Sequence, residues 1–127
     1  MKAAALASFI GKRSSRKTQM SGEFQPSLIA ELAFLSTADG GRSTPVKTGY
    51  RPQFYYAGKD WDAVHSYDVE WVYPGDTVVA ALTFARPQNH AGQLYTEMTF
   101  AIREGARTVA NGRILMVIDP TLKREAE

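Results

Sequence analysis

The chain has 127 residues, of which 44% are hydrophobic and 22% are charged, and its formal net charge is +2. This length and composition predict one soluble globular domain, and no apolar run approaches the roughly 18–20 residues that a membrane-spanning helix needs. The sequence contains no cysteine, which excludes disulfide bonds, thiol catalysis and cysteine-ligated zinc and suits the reducing cytoplasm.

The N-terminal segment carries positive charge that the rest of the chain lacks. Residues 1–22 contain five of the 15 basic residues and none of the 13 acidic residues, so the remainder is mildly acidic. We predict a basic, disordered tail over residues 1–26. The alternatives are an arm that contacts RNA or another acidic surface, and an organelle-targeting peptide. Bulk charge does not favour DNA binding or tight RNA binding by the body alone.

From Ser27 onward, short β-type segments alternate with turn residues, a pattern that predicts an all-β barrel or sandwich. The clearest turn is Pro74-Gly75-Asp76, since proline presets φ and glycine accepts a positive φ. Six strands of ordinary length can close a small barrel and leave no strand edge exposed. The predicted strands are Leu28–Ser36, Gln53–Ala57, Ser66–Tyr73, Thr77–Ala85, Leu94–Arg103 and Arg107–Ile118.

Alternating apolar side chains indicate which face of two strands is buried. The predicted core face holds Val78, Ala80, Leu82 and Phe84 in one strand and Met98, Phe100 and Ile102 in another. Arg103 and Glu104 therefore begin at the barrel rim. The Asn111-Gly112 pair fits either a hairpin turn or one strand bent by a glycine bulge.

Nucleotide hydrolysis is not supported by any motif in the sequence. A phosphate-binding loop ends in Gly-Lys-[Ser/Thr], whose hydroxyl is a ligand of Mg²⁺. Gly11-Lys12 and Gly58-Lys59 are instead followed by Arg13 and Asp60. We therefore predict a binding module that is not an enzyme and uses no cofactor.

Metal chemistry is also weakly supported. The two histidines, His65 and His90, do not lie at a ligand spacing such as His-x-x-x-His. Asp60 and Asp62 flank Trp61, which places both carboxylates on one side of an extended segment. That arrangement suits a cation, but a solvated loop is the better interpretation, and we predict no metal site.

Three separated segments resemble, in order and spacing, the C-terminal domain (domain 3) of bacterial elongation factor Tu. They are Gly40-Gly41-Arg42-Ser43-Thr44-Pro45, Gly49-Tyr50-Arg51-Pro52-Gln53-Phe54-Tyr55 and Phe100-Ala101-Ile102-Arg103-Glu104-Gly105. The resemblance covers residues 27–119 and leaves residues 120–127 as a charged C-terminal tail. It implies a six-stranded antiparallel Greek-key β-barrel and favours the bulged continuous strand at Asn111-Gly112. Without a GTPase motif, we expect a stand-alone domain-like protein.

The resemblance also implies an interaction rim. In the family, this domain packs on the GTPase domain, and one of its edges touches the T-stem backbone of aminoacyl-tRNA. Arginine suits phosphate, and glutamine and glutamate suit ribose hydroxyls. The matching rim positions are Gly40, Gly41, Arg42, Gln53, Ala101, Glu104 and Gly105, and those for RNA contact are Arg42, Gln53, Glu104 and Gly105.

Several positions depart from the family pattern. Ser43 stands where the family has histidine, Asp62 stands where threonine is expected, and the Arg86–Gln93 loop is longer. Because the Asp62 carboxylate would repel phosphate, we favour a protein partner, such as a GTPase or another translation component. The alternative is a module that binds tRNA or another structured RNA with help from the basic tail.

Each rim residue also has a purely structural alternative. Arg42 could pair with Asp39, Gln53 could bond backbone at a strand end, and Glu104 with Gly105 could form only a turn. The aromatic residues are more typical of core and rim packing than of platforms for bases. A small-molecule hydrolase is the remaining hypothesis, although no residue constellation favours a particular substrate.

Overall fold

Six β-strands close into one antiparallel barrel in the computed structural model, which describes residues 25–125. The order around the barrel is β1-β4-β3-β2-β5-β6, and β6 pairs with β1 to close it. β2, β3 and β4 are consecutive neighbours while β1 crosses over to lie beside β4, which is a Greek-key connection. The strands are β1 (Leu28–Phe34), β2 (Gln53–Tyr56), β3 (Lys59–Tyr67), β4 (Thr77–Phe84), β5 (Thr99–Glu104) and β6 (Arg107–Val117). The fold expected from the sequence is confirmed.

The core fills the barrel interior with side chains that alternate along the strands. Ala80, Leu82 and Phe84 of β4 are buried there, and Phe100 and Ile102 of β5 join them, as the alternation predicted. Val78 packs against this cluster from a half-buried position. Aromatic rings occupy the centre, where Phe54 stacks on Phe100 with the ring centroids 4.0 Å apart.

Gly112 lies inside β6 because a larger residue would collide with that central stack. A Cβ atom at this position would lie 2.2 Å from Cζ of Phe100. The Asn111-Gly112 pair therefore belongs to a continuous strand and not to a hairpin turn. The bulge expected at this pair is wrong, because the register shifts of β6 lie opposite Ile102/Arg103 of β5 and opposite Ile29/Ala30 of β1.

The predicted third strand, Ser66–Tyr73, is wrong. β3 begins at Lys59 because Ala57 and Gly58, at φ values of 51° and 79°, form a two-residue hairpin turn directly after β2. Asp60 and Asp62 consequently lie in a strand and not in the predicted solvated loop. Within residues 66–73, Val72 is buried and forms an isolated bridge with Val46.

The predicted fifth strand, Leu94–Arg103, starts too early. β5 begins at Thr99, and the fully buried Leu94 belongs to a separate contact with the C-terminal segment. Leu94 N donates to the Leu122 carbonyl oxygen at 2.9 Å, and Arg124 N donates to the Leu94 carbonyl oxygen at 2.7 Å. Leu122, in the 3-10 turn Pro120–Leu122, is fully buried. Packing therefore continues beyond residue 119, the boundary expected from the sequence.

Strand directions divide the loops between two ends of the barrel. One end is formed by residues 35–52, residues 68–76 and the turn 105–106, and we call it the upper end. The lower end is formed by the turn 57–58, residues 85–98 and residues 118–125. None of the described stretches forms a helix with the length and apolarity that crossing a bilayer requires. The predicted basic tail falls almost wholly outside the described residues.

Candidate interaction rim

The Gly40-Gly41-Arg42 segment is fixed over the upper end by a close backbone contact. It follows the 3-10 turn Thr37–Asp39, and Gly41 N donates to the Ser36 carbonyl oxygen at 2.9 Å. A Cβ atom on Gly41 would lie 2.2 Å from the Leu35 carbonyl oxygen, so only glycine fits. This approach directs Arg42 back toward the mouth of the barrel.

Arg42 meets Glu104 at that mouth. Glu104 ends β5 on the same side as the inward-facing Phe100 and Ile102, so its carboxylate lies at the top of the barrel interior. Arg42 Nη1 and Tyr50 OH both donate to Glu104 Oε2, and Arg107 Nη2 donates to Oε1 at 3.3 Å. We call Arg42, Tyr50, Glu104 and Arg107 the end cluster.

Further contacts hold the Arg42 side chain in place. Its guanidinium carbon lies 5.2 Å from the centre of the Tyr50 ring, and Nη2 donates to Thr44 Oγ1 at 2.9 Å. The sequence-based alternative that Arg42 pairs with Asp39 is wrong, because the arginine is used by Glu104 and Thr44.

The end cluster keeps its glutamate charged. Burial alone would raise the pKa of the Glu104 carboxyl, but the hydrogen bonds from Tyr50 and Arg42 outweigh it and lower that pKa below its ordinary value. Burial, followed by the hydrogen bond to Glu104, raises the pKa of the Tyr50 hydroxyl. At neutral pH the cluster therefore consists of a carboxylate, a protonated phenol and two guanidinium groups.

A second group of rim residues lies on the outer wall, where β2 pairs with β3 on one side and β5 on the other. Gln53 is opposite Asp62 and Arg103, and Tyr55 is opposite Asp60 and Ala101. We call these six residues the wall patch. The patch adjoins the end cluster because Arg103 and Glu104 are consecutive in β5.

The wall patch satisfies most of its own charges. Gln53 Nε2 donates to Asp62 Oδ1 at 2.9 Å, so the alternative in which Gln53 bonds backbone is wrong. The Arg103 guanidinium pairs with Asp60, with Nε and Oδ1 3.3 Å apart. It also covers Tyr55, 4.1 Å from the ring centre. An aromatic ring, a guanidinium and a carboxylate thus form one layered surface.

The structure brings the seven predicted rim residues to one side of the upper end. Gly40, Gly41, Arg42, Glu104 and Gly105 surround the mouth, with Gly105 in the β5–β6 turn at a φ of 61°. Gln53 and Ala101 lie on the adjoining wall. Sequence reasoning missed Tyr50 and Arg107 as partners of Glu104. The inward position of Glu104 in the alternation of β5 could have indicated such partners, because a carboxylate at the top of a core needs hydrogen-bond donors.

The two histidines are separate and buried. His65 Nδ1 lies 2.7 Å from Tyr67 OH, and His90 Nδ1 lies 2.7 Å from Tyr56 OH, so each ring shares a hydrogen bond with a tyrosine. Between residues 25 and 125, no three histidine, aspartate or glutamate side chains converge in a way that could hold a metal ion.

Comparison with known proteins agrees with the fold. The family profile described as Elongation factor Tu C-terminal domain matches residues 21–118. Elongation factor Tu 2 of Streptomyces avermitilis is 43% identical over 93 residues, which are 71% of this chain and 22% of that relative. The chain thus spans less than a quarter of the length of this relative. These matches confirm the resemblance seen in the sequence, and the chain belongs to the family of elongation factor Tu C-terminal domains.

Proposed function

We propose that this domain is a non-catalytic interaction module of the translation-factor type. It binds a protein partner, such as a GTPase or another translation component, through the end cluster and the wall patch. Residues from three distant segments of the sequence meet on one side of the upper end, and this convergence is the observation that supports the proposal. If these residues only stabilised the barrel, residues of the outer wall would not need to lie beside the end cluster.

The state of the arginines favours protein over RNA. Arg42 is paired with Glu104 and Arg103 with Asp60, so neither guanidinium is available to a phosphate unless an existing ion pair breaks. Tight binding to a nucleic acid backbone normally relies on unpaired basic side chains that release counterions. Layered aromatic and arginine groups with few uncompensated charges are instead typical of protein interfaces.

Ala101 offers the sharpest test because its side chain is small and lies in the wall patch beside Tyr55. Ala101→Arg should block a docked partner while leaving the end cluster intact. Ala33→Arg is the matched control, since Ala33 is an exposed alanine of β1 that lies outside the wall patch, two strands from Ala101 across β6. Cross-linking in lysate identifies a candidate partner, and titration of the purified pair then measures the Kd of the wild type and both variants.

The proposal expects Ala101→Arg to weaken binding at least tenfold and Ala33→Arg to leave the Kd unchanged. A double change, Gln53→Ala with Glu104→Ala, should also lose the partner. Equal capture of the same partners by wild type and double variant would remove the rim assignment. Capture of nuclease-sensitive RNA instead, with an affinity that falls steeply with salt until residues 1–22 are deleted, would favour the RNA alternative.

A further inference from the structure

A pocket lies on the side of the barrel that leads to the lower end, away from the end cluster. It opens between the first half of β3, the end of β4 and the 3-10 turn Pro87–His90, and its volume is about 290 Å³. A second pocket of about 180 Å³ adjoins it at Asp62 and Ala85 and is bordered by Arg51. The larger pocket is lined by Asp60, Trp61, Asp62, Ala85, Arg86, Asn89 and His90.

The loop that forms one wall of this pocket is held in place from both sides. His90 is only 1% exposed, and its ring stacks on Phe84 at a centroid distance of 3.8 Å. On the other side, Gly92 N donates to the Thr121 carbonyl oxygen at 3.0 Å. The pocket therefore exists before any ligand arrives. This loop is also the one that is longer here than in the family pattern.

The chemical groups around the pocket are complementary to a nucleotide. Trp61 presents an indole ring that is open enough for the Lys59 ammonium to lie 5.9 Å from its centre. Asp62 uses Oδ1 for Gln53 and keeps Oδ2 for another donor. Within residues 25–125, the Arg51, Arg86 and Asn89 side chains make no hydrogen bond or ion pair.

The charge balance favours an anionic ligand over a cationic side chain. Arg103 already neutralises Asp60, so Asp62 is the one acid of the pocket without a cationic partner in the described structure. The positive charges of Lys59, Arg51 and Arg86 exceed the single uncompensated negative charge of Asp62. A ligand with a negative group and a polar aromatic ring satisfies this mixture, because the ring can reach Trp61 while the negative group stays beside the arginines.

We propose that the pocket binds a nucleotide whose base carries an exocyclic amino group, cytosine being the best match. The base packs against Trp61, its amino group donates to Asp62 Oδ2, and its phosphate pairs with Arg86 and Arg51. A carboxylate that accepts from cytosine N4 is an established form of base recognition. The pocket shares Asp60 and Asp62 with the wall patch, but Trp61, Arg86 and Arg51 lie outside the protein-binding rim, so variants at these three residues test the pocket separately.

The first experiment uses the fluorescence of Trp61. The chain contains two tryptophans, so Trp71→Leu leaves Trp61 as the only reporter. Adding a labelled or unlabelled oligo(C) of about eight nucleotides to this variant should quench the Trp61 emission in a saturable way. The reciprocal variant, Trp61→Leu, reports on Trp71 and should show no saturable change.

Trp71 is also the matched control for affinity. It is 40% exposed and has the Lys47 ammonium 5.1 Å from its ring centre, but it lies at the upper end. Fluorescence anisotropy of the full chain with oligo(C) should show about tenfold weaker binding for Trp61→Leu and no change for Trp71→Leu. Arg86→Gln should lower the slope of log affinity against log salt by about 0.7, whereas Lys47→Gln should leave it unchanged.

Asp62→Asn tests base recognition without removing any packed side chain. Wild type should prefer oligo(C) over oligo(U), because uracil presents an oxygen where cytosine presents an amino group. The asparagine variant should lose this preference while binding oligo(C) with a similar salt dependence. Unchanged preference in the variant would overturn the assignment of Asp62.

Titration with free CMP separates two sources of the same ligand chemistry. Saturation by CMP at the affinity of oligo(C) identifies a free nucleotide, and binding of oligo(C) alone identifies single-stranded RNA. No quenching of Trp61 by either ligand would overturn the proposal. Equal weakening by Trp61→Leu and Trp71→Leu, or equal binding by all variants, would place the RNA contact elsewhere and overturn it too.

Discussion

The two ends of the barrel are built in different ways. At the upper end, a loop that only glycine permits brings Arg42 onto Glu104, and charged side chains are paired with one another. At the lower end, Leu94, Leu122 and His90 are buried, and the loop over residues 85–98 is joined to the C-terminal segment by backbone hydrogen bonds. The upper end carries the motifs shared with the family. The lower end holds features that the family resemblance does not describe.

This contrast separates the features that family membership explains from those that it does not explain. Membership of the family explains the barrel, and it supports the proposed rim and a partner that binds there. It does not explain the pocket beside Trp61, one wall of which is the loop that holds Arg86, Asn89 and His90. Variants that act on one end and leave the other intact therefore decide whether the ends have independent roles.

The largest effect should come from Leu122→Ala at the lower end. Removing this fully buried side chain leaves a cavity and should lower the free energy of unfolding by about 2–5 kcal/mol. Urea denaturation measures the loss, and Lys123→Ala, at an exposed neighbouring position, is the control. If Leu122→Ala cost no more than the control, the C-terminal segment would not be an integral part of the fold.

The next largest effect should come from Glu104→Ala at the upper end. The change leaves the Tyr50 hydroxyl and the Arg42 guanidinium without their shared acceptor and should cost about 1–3 kcal/mol of stability. Glu97→Ala is a matched control, because Glu97 is an exposed glutamate that pairs with Arg113 on the outer wall. Similar losses from both changes would show that the end cluster adds no more than a surface ion pair.

Acidification should weaken both ends, since each contains one buried histidine. Burial lowers the pKa of His90 to about 4 and that of His65 to about 3, whereas an unfolded histidine titrates near 6.5. Below pH 6.5 the unfolded chain therefore binds more protons than the folded one. Stability, complete above that pH, should fall by about 1.4 kcal/mol per pH unit for each histidine.

The two histidines can be separated by substitution. His90→Phe keeps a ring against Phe84 and should halve the slope of unfolding free energy against pH between pH 6 and pH 5, measured by urea denaturation. An unaltered slope would mean that His90 does not remain neutral in the fold. His65, whose ring contacts Tyr50 edge-on at 5.4 Å, then accounts for the remaining slope at the upper end.

The smallest change in stability should come from Gln53→Ala. Its hydrogen bond to Asp62 is exposed, and we expect a loss below about 0.5 kcal/mol. Binding of a protein partner should nevertheless weaken several-fold, because the side chain lies in the wall patch. Thermal unfolding and titration of the purified partner give the two quantities. A variant that lost stability but kept its affinity would show that Gln53 has only a structural role.

Much of the fold was accessible from the sequence, but particular elements were not. Alternation identified the core faces of β4 and β5, and the three family-like segments identified the barrel. The start of β3 was missed because Ala57 adopts a positive φ, which its residue type does not suggest. Leu122 was assigned to a tail, since one apolar residue among charged ones gives no periodic signal and its burial depends on Leu94.

The rim was predicted as a set of positions, and the structure supplied their partners. The pairing of Arg42 with Glu104 joins residues 62 positions apart in the sequence, so local spacing cannot reveal it. The pocket beside Trp61 was not predicted at all. It depends on the anchoring of His90 against Phe84, which is a consequence of tertiary packing alone.

β1 lies between β4 and β6, so the first strand of the barrel is completed by the last of its strands to be synthesised. Until residues 107–117 have been synthesised, β1 and β5 each present a row of unpaired amide and carbonyl groups to the solvent around the nascent chain. Closure is thus a late, cooperative event in biosynthesis. Translation that stalls within this window should yield chains that depend on chaperones, however stable the finished barrel is.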